Sequence, residues 1–347
     1  MLRTPTLRGG FFAIVALVFA MLPACAQSQA DFFKGKDIRV LISHPPGGGY
    51  DAYARLYARH LSKHIPGAPN IIAQNMPGAA GIVMANYLFA QAPRDGTVIG
   101  LGPGSLTTGA LFGAAGARYE ARRFTWIGSL NSEVGVAVAW KTAAVKTAAD
   151  LFTKELIVAG AASTDQSVVF PNALNRVLGT KFKVIPGYGG SSETALALER
   201  GEAQGIGGWN YSSILTNRPQ WLRDGMINVL VQLALARHPD LPNVPTVLEL
   251  GRNDDERSVL KLVFAQSQMG RVIFGPPDLP AEPARILRAA FKAMLTDREF
   301  MADADRALIE INQPMEAVEI ARLIEELHAA NPALIKRAAE AIASSGN

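Results

Sequence analysis

Arg39-Val-Leu-Ile-Ser-His-Pro-Pro-Gly-Gly-Gly-Tyr-Asp51 is the stretch whose reading decides the fold. Ile38 to Ile42 is a short apolar run with the β-branched content of a buried strand. Pro45 and Pro46 stop it, Gly47 to Gly49 follow, and a helical pattern then puts Tyr50, Ala54, Tyr57 and Leu61 on one face. The first amides of a helix have no internal partner, and the helix dipole leaves them partly positive. Glycines let a ligand come close to such amides, so this terminus suits an anion without any charged side chain. The plain alternative is a turn and nothing more. The spacing is neither GxxxxGK[ST] nor GxGxxG, so no nucleotide fingerprint is present.

The same unit repeats along the chain. Asn70 to Gln74 reads as a strand, Asn75 to Gly81 as a glycine-rich turn, and Ile82 to Ala92 as a helix. Thr97 to Leu101 is a third strand, followed by Gly102-Pro-Gly-Ser105. Strand–turn–helix units in series predict parallel strands with crossover helices, and ligands bind beyond the carboxyl ends of such strands. The pattern restarts with strands at Glu155 to Ala159, Lys181 to Ile185 and Gln204 to Gly208. Their partners are helices at Val168 to Leu178 and Glu193 to Arg200. Val134 to Trp140 and the apolar run Ile227 to Leu235 flank this second set. After the proline-rich stretch Pro239, Pro242 and Pro245 come a short helix at Thr246 to Leu250 and a strand at Arg271 to Phe274. Helices at 281–296, 297–304 and 314–344 close the chain, the last broken near Pro332. The expected organisation is α/β with two lobes: 27–130 with 235–347 as a discontinuous first lobe, and 131–234 as the second. Two crossings between lobes make a hinge with a cleft.

At 347 residues the chain is long enough for two such units. The N-terminus has Arg3 and Arg8, an apolar run from Phe11 to Leu22, Pro23, and Ala24-Cys25-Ala26. That is the pattern of a secretory signal peptide, residues 1–26, cleaved after Ala26; the run is too short to span a membrane. Leu22-Pro-Ala-Cys25 is the competing lipoprotein reading, with a proline inside the box against it. Removing the leader leaves 32 basic against 30 acidic residues, without a basic stripe interleaved with aromatics, so nucleic acid is not an expected partner. Cys25 is the only cysteine, so the cleaved chain has no thiol chemistry and no disulfide.

Several of these segments together resemble a known family. They are PPGGGYDAYARL at 45–56, NMPGAAG at 75–81, APRDGTVIG at 92–100, GYGGSSETALALERGEAQG at 187–205, LPNVPTVLEL at 241–250 and GPPDLPAE at 275–282. The ordered set resembles the Bug family, the extracytoplasmic solute receptors of tripartite tricarboxylate transporters. The resemblance implies a two-lobed periplasmic-binding-protein fold of type II. It also implies a small carboxylate held between the lobes on main-chain amides and water, and delivery to membrane permease subunits. The family's first binding loop falls on Pro46, Gly47, Gly48, Gly49, Tyr50 and Asp51, and its second-lobe loop on Ala161 to Gln166. The chain departs from the family at Tyr50, where Thr is commoner. It has Ala197-Leu198 where an Asp-Leu pair is usual, and its second-lobe loop is not glycine-rich.

No Lys or Arg lies between His44 and Arg55, between Lys154 and Arg176, or between Lys183 and Arg200. The expected site therefore has no fixed cation. An anion would rest on amides, including the turn at Gly78, and on the hydroxyls of Ser105, Ser163 and Thr164. Asp51 and Asp165 stand where helices begin and have a plain reading as caps. The sharper reading has Asp165 touching a polar or cationic part of the ligand. Tyr50 and Tyr188 wall the cleft or pack in the core. His60 and His64 have a zinc-compatible spacing but neither an intervening Glu nor a third ligand, so they read as a solvated helix face. There is no G-x-S-x-G and no His tied to a serine by a motif. The expected protein is a monomeric periplasmic solute-binding protein without cofactor or metal, not an enzyme. The alternatives are an exported sensory binding protein, or an enzyme on the same scaffold.

Overall fold

The computed structural model describes Met1 and residues 32–343. The expected leader cleavage site and Cys25 fall outside the described residues. The strands are β1 Asp37–Ile42, β2 Asn70–Asn75, β3 Val98–Pro103, β4 Phe124–Ser129, β5 Gly135–Trp140, β6 Leu156–Ala159, β7 Phe182–Ile185, β8 Gly205–Asn210, β9 Ile227–Leu233, β10 Arg271–Pro277 and β11 Met315–Glu316. The helices are α1 Gly49–Leu61, α2 Ile82–Ala90, α3 Gln166–Leu178, α4 Ser191–Glu199, α5 Tyr211–Asn217, α6 Pro219–Arg223, α7 Asp254–Phe264, α8 Ala281–Met294, α9 Arg298–Arg306, α10 Ala317–His328 and α11 Pro332–Ile342.

Two mixed sheets form two lobes. The first has the order β11-β4-β10-β3-β1-β2, the second β7-β6-β8-β5-β9. In the first, β1 runs parallel to both β2 and β3, as the serial strand–turn–helix pattern predicts. The returning strand β10 is inserted antiparallel between β3 and β4. In the second sheet β6 is parallel to β7 and β8, while β5 is antiparallel to β8 and β9. Strands β3, β8 and β10 are buried along their whole length, so both faces of each sheet's middle are covered. In β8 the sequence Gly-Ile-Gly-Gly brings α3 unusually close. A Cβ on Gly207 would lie 2.6 Å from Pro171, and one on Gly208 2.4 Å from the Gln166 carbonyl. That contact sets the start of α3 at the edge facing the first lobe.

The path between lobes is longer than the expected pair of crossings. After β9 the chain stays against the second sheet, where Gln232 Nε2 donates to the carbonyls of Leu241 and Val244. Helices α7 and α11, which the sequence reading groups with the first lobe, pack on each other and on α3. Helix α7 was not expected at all. Its N-cap Asn253 accepts from the Glu256 amide, and its acids fill the first turn. The expected helix at Thr246 is realised as a 3-10 turn, Val247–Leu250. Among the described residues no helix is long and apolar enough to cross a membrane.

Candidate functional site

The starts of α1 and α3 face each other across the lobes, and they are built differently. Gly48 is the N-cap of α1 and supplies no side-chain bond. A Cβ on Gly49 would lie 2.0 Å from Ser213 Oγ, so glycine is needed for the helix to start this close to the second lobe. Asp51 lies inside the first turn. Its carboxylate accepts from the Gly47 amide (3.0 Å), from Asn75 Nδ2 (2.9 Å) and from Arg55 Nε (3.0 Å). Burial by itself raises its pKa, but these donors outweigh burial and hold the carboxyl below its ordinary range. Asp51 thus fixes the glycine loop; its oxygens are already occupied. Asp165 is a true N-cap, accepting from the Ser167 amide (2.9 Å) and from Ser167 Oγ (2.6 Å). Its other oxygen lies 3.7 Å from His44 Nε2. Burial opposes the charge, and the His44 and Ser167 partners still hold this carboxyl low.

Three adjoining chambers lie between the lobes. A helix-end chamber of about 30 Å³ is walled by Gly49, Tyr50, Ala161, Asp165, Ser191 and Thr194, among others. A central chamber of about 40 Å³ shares His44, Tyr50, Asp165, Gln166 and Asn210 with it, and adds Ser105, Glu133 and Phe170. A third chamber of about 210 Å³ is largely apolar and meets the central one at Ala80, Ser105 and Gln266. A water needs roughly 10–15 Å³ of such space. The two polar chambers therefore have room for only a few waters each.

Beneath the polar chambers lies a cation that the sequence argument missed. Arg271, the first residue of β10, is fully buried. Its Nη1 donates to Glu133 Oε2 at 2.6 Å, and its Nη2 to Ser212 and Ser213 at 3.1 and 3.3 Å. The guanidinium carbon lies 4.3 Å from the Tyr50 ring centre and 4.5 Å from that of Tyr53. Burial opposes its charge; Glu133 and the two tyrosines outweigh burial and keep it ionised. Glu133 also accepts from Ser212 (2.7 Å) and Asn131 (3.2 Å). With its amide oxygen toward the cation, Asn210 accepts from Arg271 Nη1 at 2.8 Å and from the Tyr50 hydroxyl at 3.3 Å. Burial above all raises the pKa of that hydroxyl to about 12. Arg271 does not wall any chamber described above. It holds Tyr50 and Asn210, which do.

The expected site residues separate into groups. Gly49, Tyr50, Ala161 and Asp165 wall the helix-end chamber, and Ser105 the central one. Ser163 and Thr164 wall the apolar chamber. Pro46, Gly47 and Gly48 wall none of the three; the Gly47 carbonyl instead accepts from Ser192 Oγ of the second lobe at 3.2 Å. Gly78 is turned toward Val83, 2.6 Å from where its Cβ would stand. Tyr188 is away from the cleft, with its hydroxyl on Glu202 at 3.3 Å and its ring against the second-lobe core. His60 is not solvated but buried, 2.8 Å from Asp303, while His64 bonds Asp297, so the two do not converge on a metal. One group with metal-compatible spacing exists among the described residues: His238, Asp240 and Glu310. There the Asp240 amide donates to His238 Nδ1 at 3.1 Å and Nε2 meets Glu310 at 3.0 Å, so both ring nitrogens are already used.

Comparison with known proteins agrees with this architecture. The model of the tripartite tricarboxylate transporter family receptor matches residues 53–339. A protein encoded between ttuE and ttuC′ in Agrobacterium vitis is 28% identical over 292 residues, covering 82% of this chain and 79% of that one. Malate-bound MatC from Rhodopseudomonas palustris superposes with a TM-score of 0.67 at 23% identity, covering 88% of this chain and 99% of MatC. A second R. palustris protein, solved with adipate, gives 0.67 at 21% identity, covering 87% and 97%. These receptors are solute-binding proteins rather than enzymes. The chain belongs to the tripartite tricarboxylate transporter receptor family.

Proposed function

We propose that this receptor captures a small carboxylate between its lobes in the periplasm, as a monomer, and presents it to the permease subunits of a tripartite transporter. One observation carries the reading. The polar chambers are walled from both lobes, by His44, Tyr50 and Ser105 on one side and Asp165, Gln166 and Asn210 on the other. A ligand there touches both lobes only when they are closed, so its binding energy favours closure. The uncapped start of α1 supplies donors for an oxyanion, and the Ser105 and Ser191 hydroxyls supply more. Proteins of the same fold have been solved with malate and adipate, which supports the carboxylate class.

The test is a thermal-shift screen of mono-, di- and tricarboxylates, amino acids and sugars, with native mass spectrometry of protein purified without refolding. A true ligand at ~100 times its dissociation constant adds roughly 2.7 kcal/mol of stability. A response confined to cations or neutral sugars overturns the carboxylate reading and makes Asp165 the contact.

A further inference from the structure

The largest chamber of the cleft is the one the carboxylate reading leaves unused. Its wall includes Ile82, Leu106, Phe112, Tyr119 and Val169. At about 210 Å³ it is several times the size of either polar chamber. An apolar cavity of ~150 Å³ is large enough to take benzene. It spans both lobes, since Ser163, Thr164 and Val169 belong to the loop and helix of the second and the rest of the named wall to the first. Closure therefore completes it, as it completes the polar chambers.

A second feature points to a ligand in the same place. The Tyr119 and Thr164 hydroxyls, both on this wall, are buried without a hydrogen-bond partner. Tyr119 is only 3% exposed, and burial pushes its phenol pKa well up. Buried polar groups are normally satisfied, and the exceptions mark places where something is missing. Ser105 and Gln266 stand where the apolar and central chambers meet. The wall is thus polar at its junction with the cleft, apolar along its length, and marked by unpaired hydroxyls.

We propose that the solute is an aromatic carboxylate. Its acid group sits at the Ser105–Gln266 junction and its ring in the apolar chamber, and a ring hydroxyl adds affinity through Tyr119 or Thr164. The proposal rests on the receptor reading above and narrows its substrate class.

Calorimetric titration of benzoate, 4-hydroxybenzoate, hexanoate, succinate and malate tests it. Burying a ring in an apolar chamber should favour benzoate over succinate by at least ~10-fold. Ala114→Phe fills the chamber from a partly exposed wall position, and should weaken benzoate by roughly tenfold or more. Tyr119→Phe should keep the melting temperature of the free protein, because the hydroxyl it removes has no partner, and should lessen any preference for 4-hydroxybenzoate over benzoate. If succinate or malate binds and the aryl acids do not, the aromatic assignment is wrong and the receptor reading stands. Equal binding of hexanoate and benzoate also overturns the aromatic assignment. Benzoate binding that survives Ala114→Phe overturns the placement. If no acid of any class binds, the receptor reading fails and takes this one with it.

Discussion

The lobes meet at two edges that differ in kind. At the cleft edge the contacts are light: Ser192 Oγ to the Gly47 carbonyl at 3.2 Å, the Tyr50 hydroxyl to the Asn210 side chain at 3.3 Å, and His44 Nε2 at 3.7 Å from Asp165. At the inner edge a buried ion pair ties β10 to the crossover before β5, with Ser212 and Ser213 of the second lobe bonded to the same guanidinium. Thr216 of α5 also donates to the Leu308 carbonyl at 2.9 Å, and His238 meets Glu310. A hinge needs this asymmetry. If the receptor closes on its solute as proposed, the inner edge stays assembled while the outer edge is weak enough for a ligand to decide whether it closes.

The sharpest way to break that comparison is Arg271→Leu. It leaves Glu133 buried without its cation, and removing one partner of such a pair typically costs about 3–5 kcal/mol. Urea denaturation of the variant should show a loss of that size. Arg271→Met combined with Glu133→Gln should recover most of it, because no charge is then left unpaired. If the single variant unfolds like the wild type, the inner edge is not held by this pair.

Gly48→Val attacks the outer edge. Gly48 has φ −93°, so valine brings no backbone strain there, but its Cβ would stand 3.0 Å from Ser191 Oγ of the second lobe. Closure should suffer while the free protein keeps its stability to within about 1 kcal/mol. A ligand that depends on closure should then bind at least roughly tenfold more weakly, the loss of about one charge-assisted bond. Gly67 is the control, but at φ +87° it would strain a valine, so Gly67→Asn is the right variant and should bind normally. Normal binding by Gly48→Val would show that the outer edge does not control closure. A smaller effect is expected for Asp165→Ala, which removes the α3 cap and its approach to His44. Denaturation should show a loss of about 1 kcal/mol; an unchanged midpoint would mean the cap is replaced by another donor or by water.

Much of this asymmetry was legible in the chain, and the part that was not has a physical reason. Strand–turn–helix units are written locally, in proline and glycine punctuation and in apolar period, so β1 to β3 and the facing helix starts could be placed from short windows. Arg271 could not. It opens the buried strand Arg-Val-Ile-Phe, and nothing near it in sequence says that Glu133, 138 positions away, will neutralise it. The glycine loops carry no cation, because the cation comes from a returning strand inserted between β3 and β4. Asp51 and Asp165 look alike in sequence, each beside a helix start. Only the positions of Asn75, Arg55 and Ser167 make one a loop fastener and the other a cap. Helix α7 was signalled by Asn253 and three acids after it, but its charged face hid the apolar period of Val259, Leu260 and Val263.

The smallest expected effect belongs to His238, and its value lies in its sign. The ring is buried beside Tyr211, its Nε2 is 3.0 Å from Glu310 of the first lobe, and Nδ1, which accepts from the Asp240 amide when the ring is neutral, gives up that bond on gaining a proton and then faces the Asp240 carboxylate at 4.0 Å. The hydrogen bond to Glu310 raises its pKa above the ordinary histidine value, and this outweighs burial, which acts the other way. A folded-state pKa above the unfolded value of about 6.5 means that folding favours the proton. The contribution is therefore complete below about pH 6.5 while Glu310 stays ionised, and it is lost as pH rises through the folded pKa. His238→Gln should lower stability by about 1 kcal/mol or less near pH 5.5, and by progressively less toward pH 8.5. Ligand affinity, controlled at the other edge, should not follow this curve. Denaturation midpoints of both proteins across that range measure the difference directly. A difference that is flat or grows with pH would show that His238 and Glu310 do not act as a charged pair. The inner edge would then rest on Arg271 and Glu133, without a protonated histidine beside them.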